Sequence, residues 1–304
     1  MQASKAKLGI SACLLGAEVR YNGGHKLSRL CSRSLTEHFD FIPVCPEVGI
    51  GMSIPREPIR LVGDPHEPRA VGTVDRSRDV TDALAAYGER MANELQGISG
   101  YIFMQQSPSC GLERVKVYQE GGRPSEPGRG IFAAAFCARH PDLPVEEDGR
   151  LNDPVLRENF ITRVYAHAEW QRLLLQGLTR RSLIAFHSRY KSLGRMLGDL
   201  SQHDLGELAP RYFSELMSAL KKCATRGTHS NVLQHLSGYL KRTLSADEKQ
   251  EMQQLIGQYR EGIVPLVVPL TLLKHHFRRH PDRYIAEQAY LQPHPEPLSL
   301  RNAL

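Results

Sequence analysis

Cysteine is scarce in this chain: six residues in 304, at Cys13, Cys31, Cys45, Cys110, Cys137 and Cys223. That number excludes a secreted disulfide scaffold of this size. No apolar run approaches the roughly 20 residues of a membrane span. The start, MQASKAKLG, has no apolar signal segment. These absences lead us to expect reduced thiols in a cytoplasmic protein with no membrane association. There is no CxxC pair and no HExxH, and the Gly23-Gly24 pair lacks the Lys-Ser/Thr of a phosphate loop. Internal repeats and low-complexity tracts are absent too. The chain is 41% hydrophobic and 24% charged, a soluble globular composition rather than a disordered one, with room for two domains of about 150 residues.

Charge divides the chain unequally. Residues 161–304 hold 20 Lys+Arg against 12 Asp+Glu, a net of +8, whereas residues 1–160 hold 19 against 21. A basic half is compatible with nucleic-acid contact and equally with a solvated helical surface. The first half alternates strand and helix patterns. Leu8-Gly9-Ile10-Ser11-Ala12, Phe39-Asp40-Phe41-Ile42-Pro43-Val44 and Tyr101-Ile102-Phe103-Met104 read as strands. Val80, Leu84, Tyr87, Met91, Leu95 and Ile98 recur at helical steps behind Asp79 or Thr81 as cap. The succession predicts a parallel sheet covered by helices. Residues 140–149, acidic and rich in Pro and Gly, read as the loop that ends this unit. Helical patterns follow, so the fold class expected is α/β over residues 1–152 and all-α over 153–304, with 156–182 as a connecting helix.

Cys13, Cys45 and Cys110 each follow a strand-like run. Ligands collect at the carboxyl ends of parallel strands, so if the three strands are neighbours, three thiols enter one crevice. Three thiolates suit a soft metal and leave a coordination position open. Spacing alone leaves buried, inert cysteine as the other reading.

The flanking residues carry more information. Ser11-Ala12-Cys13-Leu14-Leu15-Gly16, Pro43-Val44-Cys45-Pro46-Glu47-Val48 and Ser107-Pro108-Ser109-Cys110-Gly111 resemble the thiouracil desulfidase (TudS) family. Val19-Arg20-Tyr21-Asn22-Gly23, Ile54-Pro55-Arg56 and Asp79-Val80-Thr81 match in the same order. Together they cover about residues 7–150. The second half resembles a YbgA-like helical domain through Phe186-His187-Ser188-Arg189-Tyr190-Lys191, Thr228-His229-Ser230-Asn231-Val232-Leu233-Gln234-His235 and Val264-Pro265-Leu266-Val267-Val268-Pro269-Leu270.

The first resemblance implies a 4Fe-4S cluster held by Cys13, Cys45 and Cys110, with one iron open to a substrate sulfur. It also implies non-redox conversion of thiouracil to uracil and sulfide, with Glu47 as catalytic carboxylate and Ser107 as catalytic serine. A thiocarbonyl sulfur is soft enough for such an iron, and Glu47 is suited to take a proton from the attacking water. Arg56, Ser11 and Ser109 complete the candidate site as substrate-binding residues, Arg56 as an anchor for the substrate carbonyl or a phosphate and otherwise as a loop ion pair, the serines also as donors to cluster sulfurs. The alternative reading is a tRNA-thiouridine-processing or nucleic-acid-binding protein that uses the basic helical domain, and a third is a sulfur carrier. The partner expected first is a small thiopyrimidine, and no oligomeric state is legible.

The remaining candidates have ordinary readings beside functional ones. Cys31, Cys137 and Cys223 read as spare or packing thiols. Arg20, Tyr21 and Asn22 read as a pocket mouth or a turn. His187, His229, His235, His275 and His276 read as solvated or hydrogen-bonded rather than metal-bound. Lys191, Arg195, Lys221, Lys222, Arg226 and Lys241 read as a basic patch or a solvated surface.

Overall fold

A computed structural model describes residues 5–119, 122–190, 204–298 and 300–304. By contacts, the chain separates into two compact units, Met1–Asn152 and Asp153–Leu304.

The first unit is built on a four-stranded parallel sheet of β1 (Ala6–Ser11), β2 (Phe39–Val44), β5 (Tyr101–Phe103) and β7 (Val145–Glu147), in the order β2-β1-β5-β7. Its inner strands are apolar on both faces: Leu8, Ile10, Tyr101, Ile102 and Phe103 are all fully buried, as a sheet with both faces covered requires. Gly9 is glycine because the Tyr101 ring lies across it; a Cβ there would stand 2.2 Å from that ring. Between β2 and β5 come a one-turn helix, α1 (Pro46–Gly49), an antiparallel hairpin of β3 (Ile59–Asp64) and β4 (Glu67–Gly72), and α2 (Thr81–Glu94). A short strand, β6 (Val117–Tyr118), adds to β3 and makes a second, three-stranded sheet that the sequence pattern did not announce. With α3 (Ile131–Arg139), α2 covers the main sheet through Met91, Leu95, Phe132 and Phe136.

Three local expectations need revising. Residues 145–147 are the edge strand β7, not part of a loop. Glu146 and Glu147 are 7% and 5% exposed, and each has partners that make burial tolerable. Glu147 Oε1 accepts the N–H groups of Leu112 and Glu113 at 2.8 and 3.2 Å, and Glu146 Oε1 meets Arg150 Nε at 2.6 Å. The cap of α2 is Val80; Asp79 accepts the Thr81 N–H at 2.9 Å, and Thr81 Oγ1 accepts the Ala70 N–H at 2.8 Å, tying the helix start to β4. The stretch 156–182 is two helices, α4 (Pro154–Leu175) and the start of α5 (Arg180–Tyr190), separated where Gly177 takes φ 83°.

The second unit is all helical, adding α6 (Leu205–Leu220), α7 (Arg226–Ser237), α8 (Ala246–Glu261), α9 (Val267–Arg279) and α10 (Arg283–Ala286). It has two cores. One gathers Trp170, Leu183, Phe186, Tyr212, Phe213 and Leu216, with Trp170 stacked on Phe213 at 4.7 Å. The other gathers Leu233, Leu236, Met252, Ile256, Tyr259, Leu270 and Leu273. Lys191 and Arg195 lie outside the described residues; Lys221, Lys222, Arg226 and Lys241 are exposed. Among the described residues, no helix is long and apolar enough to cross a membrane.

Candidate active site

Strand order creates the site. From β1 the chain adds β2 on one side and then β5 on the other, so the crevice at the carboxyl ends of these three strands is a topological switch point. Cys13 lies in the 3-10 turn that leaves β1, Cys45 directly follows β2, and Cys110 ends the loop that leaves β5. All three line one cavity of about 360 Å3 in the first unit, together with Ser11, Glu47, Arg56, Ser107 and Ser109. Every candidate site residue therefore falls in one place. Of the other cysteines, Cys31 is fully buried in a π-helical segment, Leu30–Leu35, Cys137 packs partly buried from α3 against the core, and Cys223 is exposed.

Burial pushes all three thiols up. Cys13 reaches about 11, with Cys45 adding to the rise. Cys45 and Cys110 are raised by the same desolvation, Cys110 the furthest, against hydrogen bonds from Ser11 and Ser109. Thiols in such surroundings stay protonated until a positive partner replaces the proton. Among the described residues, no three His, Cys, Asp or Glu side chains converge on a single metal ion. Three thiols line one cavity, and thiolate is the ligand type of an iron–sulfur cluster, so the donor set is chemically suited to one.

The carboxylate is held at both oxygens. Glu47 Oε2 meets Arg56 Nε at 2.8 Å and Nη2 at 2.7 Å; the Arg56 side chain is 2% exposed and that of Glu47 15%. Glu47 Oε1 accepts the Ser109 hydroxyl at 2.8 Å. Ser109 Oγ is 3.0 Å from Ser107 Oγ, which also accepts the N–H groups of Ser109 and Cys110 at 3.3 and 3.1 Å. A hydrogen-bonded line therefore runs from Ser107 through Ser109 to Glu47. The other Arg56 donors go to the carbonyls of Val19 and Ser53. Its charge is directed at Glu47, so the loop ion pair is what the structure contains. Ser11 Oγ accepts the Met104 N–H at 2.9 Å and fastens the end of β1 to the exit of β5.

Sequence reasoning missed the far wall, where Lys26, Met104, Gln105 and Gln106 join Arg20 and Tyr21 around the cavity. Gln106 takes φ 57°, the left-handed region, as the chain turns toward Ser107. Asp148, raised by burial, accepts the Gln105 N–H at 3.1 Å and has Lys26 nearby. The reading of Arg20, Tyr21 and Asn22 as a pocket mouth was the hint of this wall, and it did not extend to Lys26, Gln105 or Gln106.

Comparison with known proteins finds two families along the chain. The family described as 2-thiouracil desulfurase matches residues 8–148, and a family described as protein of unknown function (DUF1722) matches residues 183–295. The uncharacterized protein YbgA of Escherichia coli (strain K12) is 31% identical over 159 residues, 48% of this chain and 94% of YbgA. The uncharacterized protein YbbK of Bacillus subtilis (strain 168) is 37% identical over 109 residues, 34% of this chain and 71% of YbbK. A solved structure named as the [4Fe-4S]-dependent thiouracil desulfidase TudS is 30% identical and covers 49% of this chain and 94% of its own, with a TM-score of 0.38. On these matches and on its paired α/β and helical units, the chain belongs to the 2-thiouracil desulfurase family and carries a DUF1722 domain behind the desulfurase part.

Proposed function

We propose that the first unit hydrolyses the thiocarbonyl of thiouracil, giving uracil and sulfide with no net redox change. The observation that carries this reading is the carboxylate of Glu47, fixed between Arg56 and Ser109 in the cavity that three thiols also line. Water supplies the oxygen, the carbon–sulfur bond breaks, and sulfur leaves as sulfide. Cys13, Cys45 and Cys110 would hold the 4Fe-4S cluster, which when bound supplies a Lewis-acidic iron with affinity for soft sulfur. Glu47 keeps lone pairs free beside its two existing contacts, so it can accept the proton of the attacking water. Arg56 fixes the rotamer of that carboxylate and thereby acts through Glu47 rather than on the substrate. The line from Ser107 through Ser109 gives a proton a path between Glu47 and the substrate.

The decisive variant is Glu47→Gln, prepared without oxygen and loaded with iron and sulfide. Sulfide release from thiouracil should drop by roughly a factor of 10²–10⁴, the usual range for a lost general base, while the iron content stays unchanged. Full turnover with an intact cluster overturns the mechanism. A colourless chain that cannot be loaded with iron overturns the cofactor.

A second reading concerns what carries the thio base. Arg20 and Lys26 line the cavity and the helical half is strongly basic, which suits a thiouridine presented within tRNA. Salt-sensitive tRNA binding that is lost when the second unit is removed favours this reading. Turnover of the free base alone, with no tRNA binding, rules against it.

A further inference from the structure

One residue of the first unit's cavity is not explained by the chemistry of Glu47 and the thiols. Gln106 lines the cavity next to Ser107, in the loop that leaves β5. Its backbone takes φ 57°, a region that side chains avoid and glycine occupies freely. Neighbouring contacts hold it there. The Gln105 N–H goes to Asp148 Oδ1 at 3.1 Å, and the Gly111 N–H goes to the Ser107 carbonyl at 2.8 Å. The turn closes so tightly that a Cβ on Gly111 would stand 3.2 Å from Gln106 N and 3.0 Å from Ser107 O. Glycine at position 106 would satisfy the same turn without strain, so the backbone does not call for glutamine. Side chains held in this region cluster at ligand sites, where the side chain itself is used.

The other groups around the cavity narrow what Gln106 recognises. Its side chain is exposed, and among the described residues its carboxamide makes no hydrogen bond. The other lining amide, Gln105, is seated against Gly149, where a Cβ would stand 2.0 Å from Gln105 Oε1. The hydroxyls of Ser107 and Ser109 belong to the line that ends at Glu47. Arg20 and Lys26 only donate. A carboxamide instead presents a donor and an acceptor side by side in one plane. Its complement is a lactam edge, a ring N–H next to a ring carbonyl. Thiouracil has that edge, because N3–H stands beside the remaining carbonyl whether C2 or C4 carries the sulfur. We propose that Gln106 is the specificity residue for this edge, donating to the remaining carbonyl and accepting from N3–H. The ligand class rests on the desulfuration reading. A ribose at N1 leaves N3 free, so the same contact serves the free base and the nucleoside.

The test uses the full chain, loaded with iron and sulfide without oxygen, and the product uracil, which has the edge and no sulfur. Calorimetry follows titrations with uracil, 1-methyluracil and 3-methyluracil. Wild type should bind uracil and 1-methyluracil alike and 3-methyluracil about tenfold more weakly, the equivalent of two neutral hydrogen bonds. Gln106→Gly should keep its iron and a Tm at or above that of wild type. It should bind uracil about tenfold more weakly and no longer distinguish the two methylated bases. Gln106→Glu keeps the shape but only accepts, and should weaken uracil binding several-fold. In turnover, Gln106→Gly should raise KM for thiouracil by a similar factor with kcat little changed. A turn residue with no ligand contact would leave the preference between the methylated bases intact. Wild-type discrimination in folded Gln106→Gly therefore overturns the assignment, as does a wild type that binds all three pyrimidines equally or none of them. A loaded wild type that shows the preference but releases no sulfide from thiouracil overturns the desulfuration reading and leaves Gln106 as a pyrimidine contact.

Discussion

At the scale of the residue, the site depends on how one carboxylate is held. Sequence reading reaches the residue types: three cysteines after three strands, and a Glu two positions beyond one of them. It reaches Arg56 as a substrate anchor or a loop ion pair, but not its partner Glu47, which lies nine positions away across a loop. A salt bridge closed by tertiary folding leaves no periodic mark in the sequence. The buried guanidinium grips Glu47 Oε2 through two nitrogens, a geometry that a lysine ammonium cannot reproduce. Arg56→Lys should therefore lower kcat by roughly tenfold to a hundredfold, the equivalent of a charged hydrogen bond at the transition state, while iron per chain is retained. Ser109→Ala removes the donor to Glu47 Oε1 and breaks the line to Ser107. It should show a similar kcat loss with KM little changed. Steady-state sulfide release normalised to iron checks both; a KM effect with normal kcat would instead make Arg56 or Ser109 a substrate contact.

At the scale of the element, what matters is how tightly the cysteine loops are seated. The loop at residues 107–110 rests on the start of α3, where a Cβ on Gly130 would stand 2.6 Å from Ser109 C and O and 2.9 Å from Cys110 N. Those are backbone atoms, so no rotamer change relieves the clash. Gly130→Ala should push Cys110 away from the other two thiols, lowering iron loading and costing about 1–3 kcal/mol of stability as an overpacked contact. Iron analysis together with urea unfolding tests this, and normal loading at wild-type stability would show that the loop yields freely. The main sheet was legible because its strands are short apolar runs that end at a turn-forming residue. The hairpin β3–β4 was not, since Ile59-Arg60-Leu61-Val62-Gly63-Asp64 is brief and its partner Glu67-Pro68-Arg69-Ala70-Val71-Gly72 shows little alternation. Strand β7 was hidden by its own carboxylates, which read as solvated until Leu112, Glu113 and Arg150 are seen to satisfy them.

At the scale of the whole molecule, buried titratable groups in the two units respond to acid in opposite directions. In the first, burial raises Glu147 and Asp148 above the ordinary carboxylate range. The folded state then binds more protons than the unfolded one between those two values, so mild acid favours that unit at these positions. In the second, burial brings His229 down to about 4, with Arg301 adding to the effect. Burial of Glu158 would raise it, but His294 and Arg301 outweigh that and hold it at about 2. Both groups are depressed, so the stability they confer is complete above their unfolded values of about 6.5 and 4.5 and is lost as pH falls through the folded ones. For His229 the window runs from about 6.5 down to about 4, and the loss is on the order of 3 kcal/mol. The single tryptophan isolates this effect, because Trp170 lies in a core of the second unit. Urea midpoints followed by Trp170 emission should fall steadily between pH 6.5 and 4, and His229→Gln should flatten that slope, leaving the fall below pH 4.5 that belongs to Glu158. An unchanged slope in His229→Gln would mean that the fall between pH 6.5 and 4 arises from other groups of the second unit, among them His276, which burial also lowers.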